Sequence, residues 1–287
     1  MRGRLSAIEA TRARSLDDLL DRLSAVPAPR LIAGGTDVMV QLEAGAQKEG
    51  ETFIDVSGLA RELRYHRLDA DALEIGALGT FRDTRARADI VSAFPLLELA
   101  ARTIGATQTQ TRGTWAGNIA NGSPAADGVA ALLAYDAEVI VASRGWRCVR
   151  SLTGFFSGYK KMNLQAGEFI QAIRLPRRPP DRWSAFHKVG TRRAQAITKV
   201  GLTLNWRANG SWRIVGTSLA PFVTRYETLE KLFEDAGDDL SRIDIHKLTA
   251  AVSAAVDPID DIRSTADYRR KVVFNLLRDA SAHARAG

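Results

Sequence analysis

The run Thr111-Arg112-Gly113-Thr114-Trp115-Ala116-Gly117-Asn118-Ile119-Ala120-Asn121-Gly122-Ser123-Pro124-Ala125-Ala126-Asp127 constrains this chain most. It is built from glycine, alanine, hydroxyls and amides, so it gives up side-chain burial. Such a segment lets backbone N–H groups and short polar side chains approach a ligand closely, and a phosphate-bearing cofactor is the usual reason. Loops longer than about a dozen residues are uncommon in compact domains unless they are functional. The stretch reads as a loop of that kind. Far upstream lies a second glycine turn, Ala33-Gly34-Gly35-Thr36-Asp37. Together they suggest one ligand held from both sides.

The upstream turn sits between a short strand, Arg30 to Ala33, and a helix from about Asp37 to Ala44 that Gly45 terminates. Amides at that helix N-terminus could meet a pyrophosphate, with the Thr36 hydroxyl as an extra donor. The spacing is not G-x-G-x-x-G, so it is no Rossmann fingerprint. Asp37 repels an anion unless its carboxylate points away or caps an amide. A tight turn with a Thr or Asp cap explains the same residues equally well. In the downstream run, Gly113, Gly117 and Gly122 permit close approach, while Thr114, Asn118 and Ser123 supply donors. Asp127 could accept from a hydroxyl or ring N–H, or simply favour the first turn of its helix.

Around these segments the pattern is mixed. Ser15 caps a helix through Leu23, and Thr52 to Val56 is a strand in one parallel pair with the strand before the double glycine. Alternation over Leu63 to Leu68 and Leu73 to Ala77, around Asp69-Ala70-Asp71, signals a hairpin. Pro95 opens a helix to Ile104, and Ser123-Pro124 opens another, followed by a strand from Glu138 to Ala142. Arg177-Arg178-Pro179-Pro180-Asp181 is a linker. Beyond it come strands at Trp183 to Val189, Ala196 to Trp206 and Trp212 to Leu219, with an Asn209-Gly210 hairpin turn, and then three helices.

At 287 residues the chain fits two or three modules, and 45% hydrophobic with 25% charged residues is ordinary globular composition. The net charge of +7 is scattered and aromatics are 7% of the chain, which argues against a nucleic-acid face. The single cysteine, Cys148, excludes an intramolecular disulfide and any cysteine-ligated cluster held by this chain alone. No apolar stretch of signal-peptide or membrane-spanning length occurs, so the expectation is a soluble cytoplasmic protein without a membrane partner. His66, His187 and His246 show no metal spacing, so no metal site is expected. Nor does any Ser-His-Asp or paired-carboxylate set emerge, and no catalytic residue is assigned. Tyr159-Lys160-Lys161 reads as a surface loop.

Ile32 to Asp37, Arg112 to Asp127 and Lys188 to Ile197 closely resemble the FAD-binding medium subunit of the molybdenum hydroxylases, the flavoprotein of the xanthine dehydrogenase and carbon monoxide dehydrogenase family. Phe155 to Lys161, Asp257 to Arg263 and Tyr268 to Arg270 extend the resemblance over nearly the whole chain. It implies an α+β architecture: a p-cresol-methylhydroxylase-type FAD-binding fold of two subdomains, then a small C-terminal domain of three antiparallel strands and helices. The domains would be 1–176, split at about 57/58, and 181–287. By the same resemblance Leu31, Ile32, Ala33, Gly34, Gly35, Thr36, Asp37 and Val38 would wrap the FAD pyrophosphate. Thr114, Gly117, Asn118 and Ser123 would close on it, Ile104 and Ile170 would pack on the flavin, and Asp127 and Lys188 would contact the cofactor.

The implied function is electron transfer in an oxidoreductase. FAD would take electrons from two [2Fe-2S] clusters of a small iron–sulfur subunit and pass them to NAD, oxygen or another acceptor. Substrate oxidation would occur on a large molybdopterin subunit, and the resemblance allows a dimer of heterotrimers. Where the family commonly has Thr-Ile-Gly-Gly, this chain has Thr114-Trp115-Ala116-Gly117. A positive φ at Ala116 would cost on the order of 1 kcal/mol. Trp115 reads as core, with a subunit contact as the alternative. Two rivals stand beside the main reading: a stand-alone NADPH-dependent FAD reductase of the same fold, and a flavin-free scaffold that the Trp115-Ala116 departure keeps open.

Overall fold

The computed structural model describes residues 9–46 and 50–283. The first unit is a three-stranded parallel sheet ordered β1-β3-β2, made of β1 (Glu9–Arg12), β2 (Arg30–Ile32) and β3 (Thr52–Asp55). Two helices connect the strands, α1 (Leu16–Ala25) and α2 (Val38–Glu43). Ser15 caps α1 by accepting from the Asp18 amide at 3.1 Å. Strand β1 escaped the sequence reading, since Glu9-Ala10-Thr11-Arg12 has almost no buried residue.

After α3 (Ala60–Leu63) the chain builds a second, antiparallel sheet. Its strands are β4 (His66–Leu68), β5 (Ala72–Gly76), β6 (Glu138–Ser143), β7 (Trp146–Ser151) and β10 (Phe169–Pro176), ordered β4-β5-β10-β6-β7. The expected hairpin is β4–β5. Between β5 and β6 lie α4 (Phe81–Arg85), α5 (Ala88–Ala93), α6 (Pro95–Ala101), α7 (Thr107–Arg112), α8 (Trp115–Ala120) and α9 (Asp127–Ala134). Strands β8 (Phe156–Gly158) and β9 (Lys161–Met162) form a small hairpin between β7 and β10. The helix α9 is buried along its whole length, as its near-continuous apolar sequence requires.

The third unit is a four-stranded antiparallel sheet, β11 (Asp181–Val189), β12 (Val200–Arg207), β13 (Trp212–Thr217) and β14 (Thr224–Arg225), with one strand more than expected. The helices α10 (Glu227–Ala236), α11 (Ile245–Ala255) and α12 (Ala266–His283) cover one face, and Leu202, Leu204, Trp206, Trp212 and Phe233 form the core between them. The Asn209-Gly210 turn joins β12 to β13, with Gly210 at φ +85°. The opposite face packs on α9. Asp136, just after α9, accepts from Arg207 at 2.9 Å, Arg213 at 2.7 Å and Arg225 at 3.2 Å, and Tyr135 donates to Asp181 at 2.9 Å. One carboxylate thereby ties three strands of the last sheet to the preceding domain.

The glycine-rich run is not a long loop. Thr114 caps α8, its hydroxyl oxygen accepting from the Gly117 amide at 2.9 Å, and Trp115 to Ala120 is helical. Ala116 therefore has ordinary helical backbone and carries none of the strain that a positive φ would bring. Ser123-Pro124 does not open α9 either. Ser123 accepts from the Ala125 amide at 3.2 Å in a turn, and the helix starts at Asp127. Helix α6 likewise ends at Ala101 rather than Ile104.

Trp115 is a core residue with 0% exposure, edge-on to Phe81 at 4.8 Å between ring centroids. Its indole Nε1 donates to Thr84 Oγ1 at 2.7 Å, and His66 Nε2 lies 2.8 Å from the same hydroxyl. Burial lowers the His66 pKa to about 4, so the ring is a neutral structural partner. Trp115→Phe keeps an aromatic ring, smaller than the indole, and deletes this bond. A destabilisation of about 1–2 kcal/mol is expected by urea unfolding.

Candidate functional site

The two glycine-rich segments touch. Arg112 Nε donates to the Gly34 carbonyl at 3.1 Å, and a Cβ on Gly34 would lie 1.9 Å from the Arg112 carbonyl oxygen. Glycine is required there because one backbone lies directly on the other. Around this junction opens a cavity of about 1560 Å³. Ordinary small-molecule pockets occupy roughly 300–1,000 Å³, so this one has room for a dinucleotide.

Leu31, Ala33, Gly34, Gly35, Thr36, Asp37, Val38, Ile104, Thr114, Gly117, Asn118, Ser123, Asp127, Ile170 and Lys188 all line this single cavity. Ile32 is the exception among the expected site residues. It lies within β2, and its side chain packs toward the Gly35 turn rather than the cavity. The last unit contributes Lys188 from β11 together with Ala196, Thr198 and Ser218 from the connections between its strands, so the site spans both sides of the linker.

Local chemistry suits a diphosphate. Gly35 takes φ +74° after β2, and the amides of Gly34, Gly35, Thr36, Asp37 and Val38 donate to no acceptor among the described residues. Successive free N–H groups at the start of α2 form an anion-binding cradle. Across from them each polar side chain accepts one bond from the backbone with its oxygen. Thr114 accepts from Gly117, Ser123 from Ala125, and Asn118 Oδ1 from the Val129 amide at 3.2 Å. Each also keeps a donor, the hydroxyl protons of Thr114 and Ser123 and the carboxamide N–H₂ of Asn118.

Deeper in, Ile104 and Ile170 supply apolar surface. A register shift between Ile170 and Ala172 in β10 interrupts the ladder where Ile170 meets the cavity. Asp127 and Lys188 do not reach into the cavity as free groups. Lys188 Nζ binds Asp127 at 2.6 Å and the Thr103 carbonyl at 3.0 Å, and Thr198 Oγ1 donates to Asp127 at 2.7 Å. Burial pushes the Asp127 carboxyl up, against the lowering pull of Lys188.

Most other charges on the cavity wall are paired as well. Arg30 binds Glu51, Arg150 binds Glu168, and Arg263 and Arg269 both bind Asp261. Asp37 has no cap bond; it opens to the cleft, yet enough protein surrounds it to push its carboxyl up. Sequence reasoning missed Thr198, Thr103 and Arg112 as site partners, because their contacts join residues distant in sequence. Tyr159-Lys160-Lys161 is exposed, as the surface-loop reading has it, and Tyr159 and Lys160 also form part of the cavity wall. No cluster of His, Cys, Asp or Glu able to hold a metal occurs among the described residues. None of the helices described is long and apolar enough to cross a membrane.

Fold and site together define a dinucleotide-binding domain closed by a smaller antiparallel domain. A family model for the FAD binding domain in molybdopterin dehydrogenase matches residues 6–178, and one for the CO dehydrogenase flavoprotein C-terminal domain matches residues 185–284. The chain belongs to this family: it is an FAD-binding medium subunit of the molybdenum hydroxylases, the flavoprotein of an oxidoreductase. It is 30% identical over 276 residues to the glyceraldehyde dehydrogenase medium chain of Sulfolobus acidocaldarius, covering 94% of this chain and 95% of that one. With the nicotinate dehydrogenase FAD-subunit of Eubacterium barkeri it shares 36% identity over 187 residues, 64% of this chain and 62% of that subunit. The fold matches that of a carbon monoxide dehydrogenase from Hydrogenophaga pseudoflava with a TM-score of 0.88 at 24% identity, covering 100% of this chain and 99% of that chain.

Proposed function

We propose that this chain is the electron-transfer flavoprotein of a heterotrimeric molybdenum hydroxylase. In it, FAD takes electrons from [2Fe-2S] clusters on a small subunit and passes them to NAD, oxygen or another acceptor. Substrate oxidation falls to a large molybdopterin subunit. The observation that carries the reading is the shared cavity, where an amide cradle, a row of free donors and an apolar wall converge from both glycine-rich segments. Bound FAD would supply the one- and two-electron redox chemistry. The protein binds and orients it.

In this assignment Leu31, Ala33, Gly34, Gly35, Thr36, Asp37 and Val38 form the diphosphate turn, with Ile32 supporting it from β2. Thr114, Gly117, Asn118 and Ser123 close the other side, while Ile104 and Ile170 flank the flavin ring. The Asp127–Lys188 pair fixes the polar edge near the ring and joins it to the closing sheet. Residues 1–176 and 181–287 are read as separate domains, assembly as a dimer of heterotrimers, and the location as cytoplasmic. The burial of Trp115 and the helical Ala116 remove the feature that kept a flavin-free scaffold open.

The test is the absorption spectrum of the purified full chain after FAD addition, together with the chains that copurify. Flavin bands without iron–sulfur absorbance are expected from this polypeptide, whose single cysteine cannot hold a cluster. Iron- and molybdenum-containing partners should accompany it from the native source. A chain that stays colourless with excess FAD, or a monomer that turns over NADPH alone, would sink the proposal.

A further inference from the structure

The charges on the cavity wall leave one cation and one anion over. Apart from the ion pairs already described, Lys160 and Asp37 are the cavity-lining charged residues with no ion-pair partner among the described residues. We propose that Lys160, at the tip of the β8–β9 hairpin, is a cofactor-binding residue whose ammonium neutralises the diphosphate of the bound dinucleotide. This rests on the reading of the cavity as an FAD site and extends it to a third segment of chain.

Lys160 is held where such a role needs it. Its backbone is left-handed at φ +53°, a conformation that a non-glycine residue adopts when the surrounding structure requires it. The turn after α8 presses against it. Gly122 has φ +60°, and a Cβ there would lie 3.0 Å from Lys160 Cα and 3.4 Å from Met162 Cε. The hairpin tip is thereby seated on the same glycine-rich segment that supplies Asn118 and Ser123 to the cavity.

The amides from Gly34 to Val38 are donors but bring no net charge, and Asp37 adds a carboxylate beside them. A diphosphate entering there meets a like charge, at a cost that grows as the ligand displaces water. Lys160 already pulls the Asp37 carboxyl downward through space without touching it. The same ammonium, over the Tyr159 ring at 5.7 Å and without an ion-pair partner among the described residues, is a counter-charge on the cavity wall for a phosphate bound between the two glycine-rich segments. Lysine suits the task, since a flexible point charge can follow the phosphates as they seat.

FAD titration of the full chain, with Lys160→Gln and Lys160→Arg compared at two salt concentrations, tests the assignment. Lys160→Gln should weaken FAD binding about tenfold at low salt and flatten the salt dependence, and Lys160→Arg should restore most of both. Repeating the comparison in an Asp37→Asn background separates two roles. If Lys160 merely offsets Asp37, its replacement has no effect there; if it binds phosphate, the loss persists. Unchanged affinity for Lys160→Gln, or a loss that vanishes with Asp37→Asn, overturns the inference while leaving the FAD site standing. Failure of the parent chain to bind FAD would overturn both.

Discussion

Gly34→Ala should abolish practical FAD binding, with affinity falling about a hundredfold or more, equivalent to roughly 2.7 kcal/mol. The added methyl would sit 1.9 Å from the Arg112 carbonyl oxygen, 2.6 Å from its carbon and 3.0 Å from the Gly113 nitrogen. These are backbone atoms, so no side-chain rotation relieves the clash. The two segments must move apart. That shift breaks the Arg112–Gly34 hydrogen bond and separates the amide cradle from the donors of Thr114, Asn118 and Ser123. Overpacking of this kind costs about 1–3 kcal/mol, so the chain should fold with a lowered melting temperature. Gly158→Ala is the control, because a Cβ there meets nothing nearer than 3.8 Å. Fluorescence titration with FAD measures both, and a Gly34→Ala affinity within threefold of the parent would refute the two-segment clamp.

The clamp was legible from sequence because glycine and small polar residues have few other reasons to cluster. How it closes was not. Composition makes the run from Thr111 to Asp127 look like loop, yet Thr114 caps a helix and Asn118 holds the start of α9 through the Val129 amide. A local side-chain cap decides between loop and helix here, and tertiary packing of Trp115 against Phe81 and Thr84 fixes the choice. The same limit hid Lys160. Lysine in a short hairpin is ordinarily a solvated charge, and the Gly122 contact that seats it is a long-range fact. The strands beyond the linker were legible through alternation and the Asn209-Gly210 turn. By contrast, β14 at Thr224–Arg225 is too short to show a period.

Lys188→Met is expected to destabilise the chain by about 3–5 kcal/mol at neutral pH, because it leaves a buried carboxylate without its cation. The Asp127 side chain is 5% exposed and that of Lys188 12%, with 2.6 Å between the charged atoms. Lys188 is on β11, Asp127 opens α9, and the same ammonium holds the Thr103 carbonyl beyond α6. Losing it therefore loosens the seam between the closing sheet and the FAD domain. Acidity gives the sign. Burial already holds the folded Asp127 pKa above its ordinary value of 3.8, and Lys188 is the main force lowering it. Between those two values the folded state binds more protons than the unfolded chain, so stability falls as pH rises through the window. Without Lys188 the folded value climbs further and the window widens toward neutrality. Urea midpoints at two pH values should show the variant recovering toward the parent on acidification. Adding Asp127→Asn should restore much of the neutral-pH loss, since no charge is then left unpaired. A variant as stable as the parent at neutral pH, or one without acid recovery, would mean that the Asp127–Lys188 pair does not hold the two domains together.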